Sequence, residues 1–150
     1  MMLNEEKTDL SNLKAKLQGI QKELLDEYKS DVHKAPWIVG YSGGKDSTLI
    51  VQLVLEMILD IAPSEREREI HILCNDTLVE SPILTTYIEK MLIKLREFSE
   101  ALQLPIKVIK TTPPTDQTFW VNLIGRGYPP PTRSFRWCTD RIRLSRLLII

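Results

Sequence analysis

The chain has 150 residues, 43% of them hydrophobic, and a formal net charge of zero, which suits one domain with a real core and excludes a disordered tail. Two cysteines, Cys74 and Cys138, exclude a disulfide framework, and the charged first 30 residues do not read as a secretory leader. No apolar run reaches the roughly 18 residues a membrane span needs, so a cytoplasmic protein without membrane contact is expected.

In chain order, residues 5–32 read as a helix. Leu10, Leu13, Leu17, Ile20, Leu24 and Tyr28 recur at steps of three and four and mark one apolar face. That face either packs on the domain or docks a partner chain. Pro36 ends the pattern, and Trp37 to Tyr41 read as a short buried strand. A glycine loop follows, then a helix from about Ser47 to Ile61 that is apolar nearly all round and is therefore expected to be buried on more than one side. Residues 62–69 form a charged surface loop, and Glu69 to Cys74 a second strand. Ser81 and Pro82 suit the N-cap and first position of a long helix to about Leu102, with a stripe of Leu84, Tyr87, Ile88, Met91, Leu95, Phe98 and Leu102. Ile106 to Ile109 is a third strand, and a short helix from about Asp116 to Ile124 ends at Gly125.

Strands separated by long helices imply parallel pairing with right-handed crossovers. The predicted class is therefore α/β: a parallel sheet with helices on both faces, Rossmann-like, preceded by an amphipathic helix. Residues 1–35 form that helical segment, and 36–150 a nucleotide-binding domain incomplete at its C-terminus. Ligands in such sheets bind outside the carboxyl ends of the strands, which the glycine loop, residues 75–81 and residues 111–115 all leave.

The loop Ser42-Gly43-Gly44-Lys45-Asp46-Ser47 carries the clearest chemistry. Adjacent glycines allow a tight turn and let amide N–H groups approach an anion, and the loop opens a helix whose N-terminus favours negative charge. Ser42, Ser47 and Thr48 offer hydroxyl donors and Lys45 a cation. Asp46 is unexpected beside a phosphate unless Mg²⁺ or a ribose hydroxyl engages it; Mg²⁺ bridges phosphate oxygens and takes one or two carboxylates. The Walker A pattern does not fit, because Val39 and Asp46 stand where it needs glycine and Ser/Thr.

Asp76, Thr77 and Glu80 leave the second strand. They serve either a turn and a helix cap, or contacts of Asp76 or Glu80 to metal or nucleotide. Residues 126–150 hold six of the nine arginines and one acid, an asymmetry that marks an anionic partner. Within that segment Arg136 and Arg141 suit phosphate or sulfate. Cys138 beside them is either a reactive or metal-binding thiolate or a buried apolar residue. Cys74 reads as core, and His71, with no visible partner, as core or surface.

Residues 42–47 match the Ser-Gly-Gly-x-Asp-Ser signature of the PP-loop ATP pyrophosphatases. With Asp76-Thr77…Glu80 and Arg136-Trp137-Cys138-Thr139…Arg141, the chain resembles the phosphoadenosine-phosphosulfate reductase-like branch of that superfamily. Tyr128-Pro129-Pro130-Pro131-Thr132 followed by Phe135 to Arg141 is most similar to its DndC-like members, the ATP pyrophosphatase/sulfurtransferase components of bacterial DNA phosphorothioation systems. The resemblance covers about residues 30–146. It implies an adenine-nucleotide alpha-hydrolase-like fold and ATP with Mg²⁺ as cofactors. DNA is the implied acceptor, with a cysteine desulfurase and other phosphorothioation subunits as partners. It further implies that Ser42 to Ser47 hold the pyrophosphate, that Lys45, Asp46 and Cys138 take part in catalysis with Asp46 on Mg²⁺, and that Cys138 matches one ligand of a [4Fe-4S] cluster.

Two departures qualify this picture. Cys74 and Cys138 cannot by themselves complete a four-cysteine cluster, and the apolar stretch Leu147 to Ile150 reads as an interrupted core element. A fragment that keeps the nucleotide site without the sulfur chemistry is therefore expected. Two alternatives stand beside a DNA-modifying enzyme. One is a small-molecule sulfonucleotide reductase or sulfurtransferase, against which the missing Cys-Gly-Leu-His-type tail argues. The other is a nucleotide-binding assembly subunit without turnover.

Overall fold

The computed structural model describes residues 2–30 and 35–138, with side chains from residue 11 onward. Arg141 and the apolar stretch 147–150 lie outside the described residues. A long first helix, α1 (Met2–Tyr28), precedes an alternation of β1 (Trp37–Gly40), α2 (Lys45–Asp60), β2 (Ile70–Asn75), α3 (Pro82–Ala101) and β3 (Ile106–Thr111). The three strands form one parallel sheet in the order β1-β2-β3, with Gly40, Leu73 and Ile109 in register near their carboxyl ends. The chain is thus an α/β protein with a parallel sheet. No helix is long and apolar enough, among the described residues, to cross a membrane.

Pleating divides the sheet into two faces. Val39, Ile70, Ile72, Cys74, Ile106 and Val108 point to one, and they share a single core with Val51, Val54, Met57 and Ile58 of α2 and Ile88 and Leu92 of α3. Ile38, His71 and Lys107 point to the other; Ile38 and Lys107 are exposed there. Leu73 on that second face is nonetheless buried, so α2 and α3 pack on the first face while the second is open only in part. The reason is topological. A strand order that never reverses sends each right-handed crossover back over the same face. Glu69 ties the open face together, bonding to the His71 ring at 3.0 Å and to Lys107 at 2.8 Å; this gives His71 a surface partner that the sequence did not reveal.

As its apolar character implies, α2 packs on more than one side: it meets β1 and α1, burying Val51, Leu53, Val54, Met57 and Ile58, and leaves Leu49, Ile50 and Leu59 exposed. The α3 stripe is centred on Ile88, Leu92 and Ser99, leaving Tyr87, Phe98 and Leu102 exposed. Ser99 earns its buried place by donating to the Ile106 carbonyl at 3.1 Å. The C-terminal end of α1 is anchored. The Tyr28 hydroxyl donates to the Arg68 carbonyl at 2.8 Å, and the buried Arg68 guanidinium donates to the carbonyls of Glu27 and Ser30. Leu24 and Leu25 join the core, whereas Leu13 is 53% and Ile20 42% exposed. Beyond β3, the expected short helix is a 3-10 turn (Thr115–Gln117) followed by a π-helical turn (Val121–Gly125).

Ile58, with no exposed surface, and Ile50, 51% exposed, test this division of α2 into buried and exposed positions. Ile58→Ala is expected to lower the unfolding free energy by about 2–5 kcal/mol, and Ile50→Ala by less than about 0.5 kcal/mol, read from urea denaturation.

Candidate functional site

β1 ends at Gly40, and the Tyr41 amide extends the pairing by donating to the Leu73 carbonyl at 2.8 Å. The chain then turns through Gly43, whose φ of +75° disfavours any L side chain. A Cβ there would also sit 2.7 Å from Cγ1 of Ile88. Glycine is thus required twice, by backbone conformation and by the close approach of α3. Gly44 is the N-cap of α2 and makes no side-chain capping bond, so the first-turn amides have no acceptor within the helix. That is the arrangement an anion can complete.

The hydroxyls around the loop brace it. Ser47 Oγ accepts from the Ser42 amide at 3.2 Å and donates to the Gly44 carbonyl at 3.0 Å; Thr48 Oγ1 donates to the same carbonyl at 2.8 Å. Ser42 Oγ lies 3.2 Å from Ser47 Oγ. In this arrangement Ser47 and Thr48 shape the loop rather than offer free donors to a ligand. The helix begins at Lys45, two residues earlier than the sequence indicated, which recasts both charged residues. Asp46 lies in the first turn, where the helix dipole favours a carboxylate. Lys45, at the first position, opposes that dipole, is exposed and makes no ion pair among the described residues. An anion on the loop would reverse this local cost.

Below the loop, a cavity of about 470 Å³ opens at the carboxyl ends of the strands, its wall including Gly40, Tyr41, Ser42, Asn75, Asp76, Thr77, Glu80, Thr85 and Lys110. Asp76 accepts the Leu78 amide at 2.9 Å and pairs with Lys110 at 3.0 Å; Lys110 also pairs with Glu89 of α3 at 2.9 Å. Burial alone would raise the Asp76 carboxyl, but the Leu78 amide and the Lys110 ammonium outweigh it and hold the group below its ordinary range. Glu89 and then Asp76 push Lys110 up. The sequence indicates a strand end at Ile109, whereas the strand runs on to Thr111 and carries Lys110 into the site; a lysine closing an apolar strand is the signal for it. Tyr41, which the sequence marks only as strand, lines the cavity with its hydroxyl buried in reach of Thr48 and Tyr87. Thr77 Oγ1 donates to Glu80 at 3.2 Å, and Ser81 Oγ accepts the Leu84 amide at 3.3 Å, so this loop also caps α3.

The structure brings Ser42 and Asp76 into one cavity wall but not Arg136 or Cys138. Arg136 is exposed and Cys138 half-buried in the segment after β3. Cys74 is buried, and burial, reinforced by Asp76, pushes its thiol up, away from the thiolate. One exposed carboxylate at the start of α2, Asp46, fits a Mg²⁺ that draws its other ligands from phosphate and water; no group of three or more His, Cys, Asp or Glu is assembled for a metal among the described residues. The two cysteines do not fit a four-cysteine iron–sulfur cluster. No family model, curated protein or solved structure matches this chain.

Gly43→Ala should destabilise the protein by about 1–3 kcal/mol through its left-handed conformation alone. Gly44→Ala, at φ −79° with its nearest contact 3.5 Å away, should cost less, both read by urea denaturation. Asp76, whose folded carboxyl is depressed, contributes stability that is present above its unfolded pKa and lost as pH falls through the folded one. Asp76→Asn should therefore lower stability at neutral pH by about 1–3 kcal/mol and flatten the loss of stability below about pH 4, followed by thermal melts across pH.

Proposed function

We propose that this chain binds ATP by its pyrophosphate on the loop from Ser42 to Ser47 and acts as the ATP-pyrophosphatase/sulfurtransferase component of DNA phosphorothioate modification. The observation that carries the nucleotide reading is the loop itself. Gly43, with positive φ, turns the chain into a helix start without a side-chain cap, Lys45 makes no ion pair among the described residues, and Ser42 of the same loop lines the cavity at the strand ends. The choice of DNA as acceptor, and of a cysteine desulfurase as sulfur source, rests on the resemblance of the loop and of residues 128–141.

In this reading the Gly43 and Gly44 amides and Lys45 hold the β- and γ-phosphates. An acceptor oxygen attacks the α-phosphorus; the new O–P bond forms as the bond to the bridging oxygen breaks, and pyrophosphate leaves with that electron pair. Asp46 would hold Mg²⁺, which would supply charge neutralisation for the phosphates. Positioning and fixed charge supply most of the acceleration. Arg136 and Arg141 serve anionic groups of nucleotide or DNA. Cys138 is the one cysteine outside the core available to sulfur chemistry, and any cluster would need ligands beyond this sequence. A second reading, an assembly subunit that binds ATP without turnover, is favoured by the exposed Leu13 and Ile20 on α1; it predicts ATP binding and stable association with partner subunits but no pyrophosphate.

Pyrophosphate release from ATP and Mg²⁺, measured with and without duplex DNA, separates these. Release that drops about 100-fold or more in Lys45→Ala and Asp46→Ala and is stimulated by DNA is the expected result. ATP binding by calorimetry without release would favour the assembly subunit, and the absence of ATP binding would overturn the nucleotide site.

A further inference from the structure

Past β3 the chain builds a surface unlike the rest of the molecule. Phe119 stacks on Trp137 with ring centroids 5.5 Å apart, and Tyr128 meets Trp137 edge-on at 5.4 Å. The Trp137 indole donates to the Pro129 carbonyl at 2.9 Å, and Trp137 itself is buried. The fully buried Asn122 pins the turn below by donating to the Thr118 carbonyl and accepting from Arg126. On this rigid base stand two aromatic rings that burial does not explain. Trp120, edge-on to Phe119 at 5.2 Å, is 51% exposed, and Phe135 is 49% exposed.

The charge around these rings has one sign. Residues 112–138 contain three arginines, no lysine and a single acid, Asp116, which pairs loosely with Arg126 at 3.7 Å. Arg133 and Arg136 are exposed and make no ion pair among the described residues. A purely structural segment of this size has no need of half-exposed rings beside unpaired guanidinium groups. Rings offer a π-face to any base, and guanidinium groups offer planar donors to the phosphates between bases. Bases present their faces only when unpaired and unstacked, so the combination fits a single strand better than a duplex, which would use the arginines alone.

We propose that the surface between Phe119 and Cys138 binds single-stranded nucleic acid, with Trp120 and Phe135 as stacking platforms and Arg126, Arg133 and Arg136 on the phosphates. This deepens the DNA-directed reading above and rests on it only for the choice of DNA over RNA. Binding is measured without ATP, so failure here leaves the loop chemistry standing, and loss of pyrophosphate release leaves this surface standing.

The test is fluorescence anisotropy of a labelled oligothymidylate of about 16 nucleotides, titrated with the full chain at several salt concentrations. Saturable binding is expected, about tenfold or more weaker in Trp120→Ala and in Phe135→Ala. The logarithm of affinity should fall against that of salt with a slope of about −2 for three phosphate contacts, and Arg133→Gln should reduce the slope by about 0.7. Should Trp120→Ala fail to fold, Trp120→Leu keeps the apolar bulk without the π-face and reads the same loss. The proposal is overturned by no binding, by equal affinity for a duplex of the same length, or by wild-type affinity in both aromatic variants. Displacement by polyglutamate as effective as by unlabelled oligothymidylate would also overturn it, in favour of an acidic protein partner.

Discussion

Parallel strands cannot be joined by a tight turn, so each return from the end of one strand to the start of the next must cross a sheet face, here as a helix. From that constraint the rest of the structure follows. With Gly40, Leu73 and Ile109 in register, the chain leaves the sheet three times at the same edge. Residues 42–47, 76–81 and 112–118 are thereby gathered although they are far apart in sequence. The unreversed order β1-β2-β3 also brings α2 and α3 onto one face, where Ile88 of α3 lies against the turn at Gly43. Sheet topology, not the loop alone, therefore sets the loop's shape.

Electrostatics at that edge are arranged in two layers. At the loop, Asp46 agrees with the dipole of α2 while Lys45 opposes it and makes no ion pair among the described residues. Deeper in the cavity, Lys110 is held between Asp76 and Glu89 and its charge is already answered. The loop lysine is thus the cation whose surroundings leave it open to an incoming anion, and the inner lysine is the one that fixes the strand ends in place. A carboxylate fixed by an amide and an ammonium also keeps Leu78 in its left-handed conformation, with φ of 60°.

Much of this was legible in the sequence because local rules and tertiary demands agree there. Short apolar runs between long amphipathic helices predicted the order of elements, and Ser81-Pro82 marked the start of α3. Two adjacent glycines between a strand and a helix marked the tight turn that leads into α2. Where the two levels part, the reading slipped. The apolar character of α2 implied burial on more than one side, and β1 and α1 provide it, but which apolar residues stay exposed (Leu49, Ile50 and Leu59) depends on where those neighbours end. The sequence indicates a start near Ser47, and only the backbone reveals that α2 begins at Lys45, directly after the Gly44 cap.

By itself, the sequence determined the alternation of strands and helices, the glycine requirement of the loop and the concentration of arginine after β3, because each is written in local periodicity, conformational preference or composition. Tertiary structure alone decided which sheet face α2 and α3 cover, that Ile88 crowds any Cβ at Gly43, that Lys110 answers Asp76, and that Trp120 and Phe135 stand exposed. Each of these depends on distance between residues remote in the chain, and no local pattern encodes such a distance before the strands have paired.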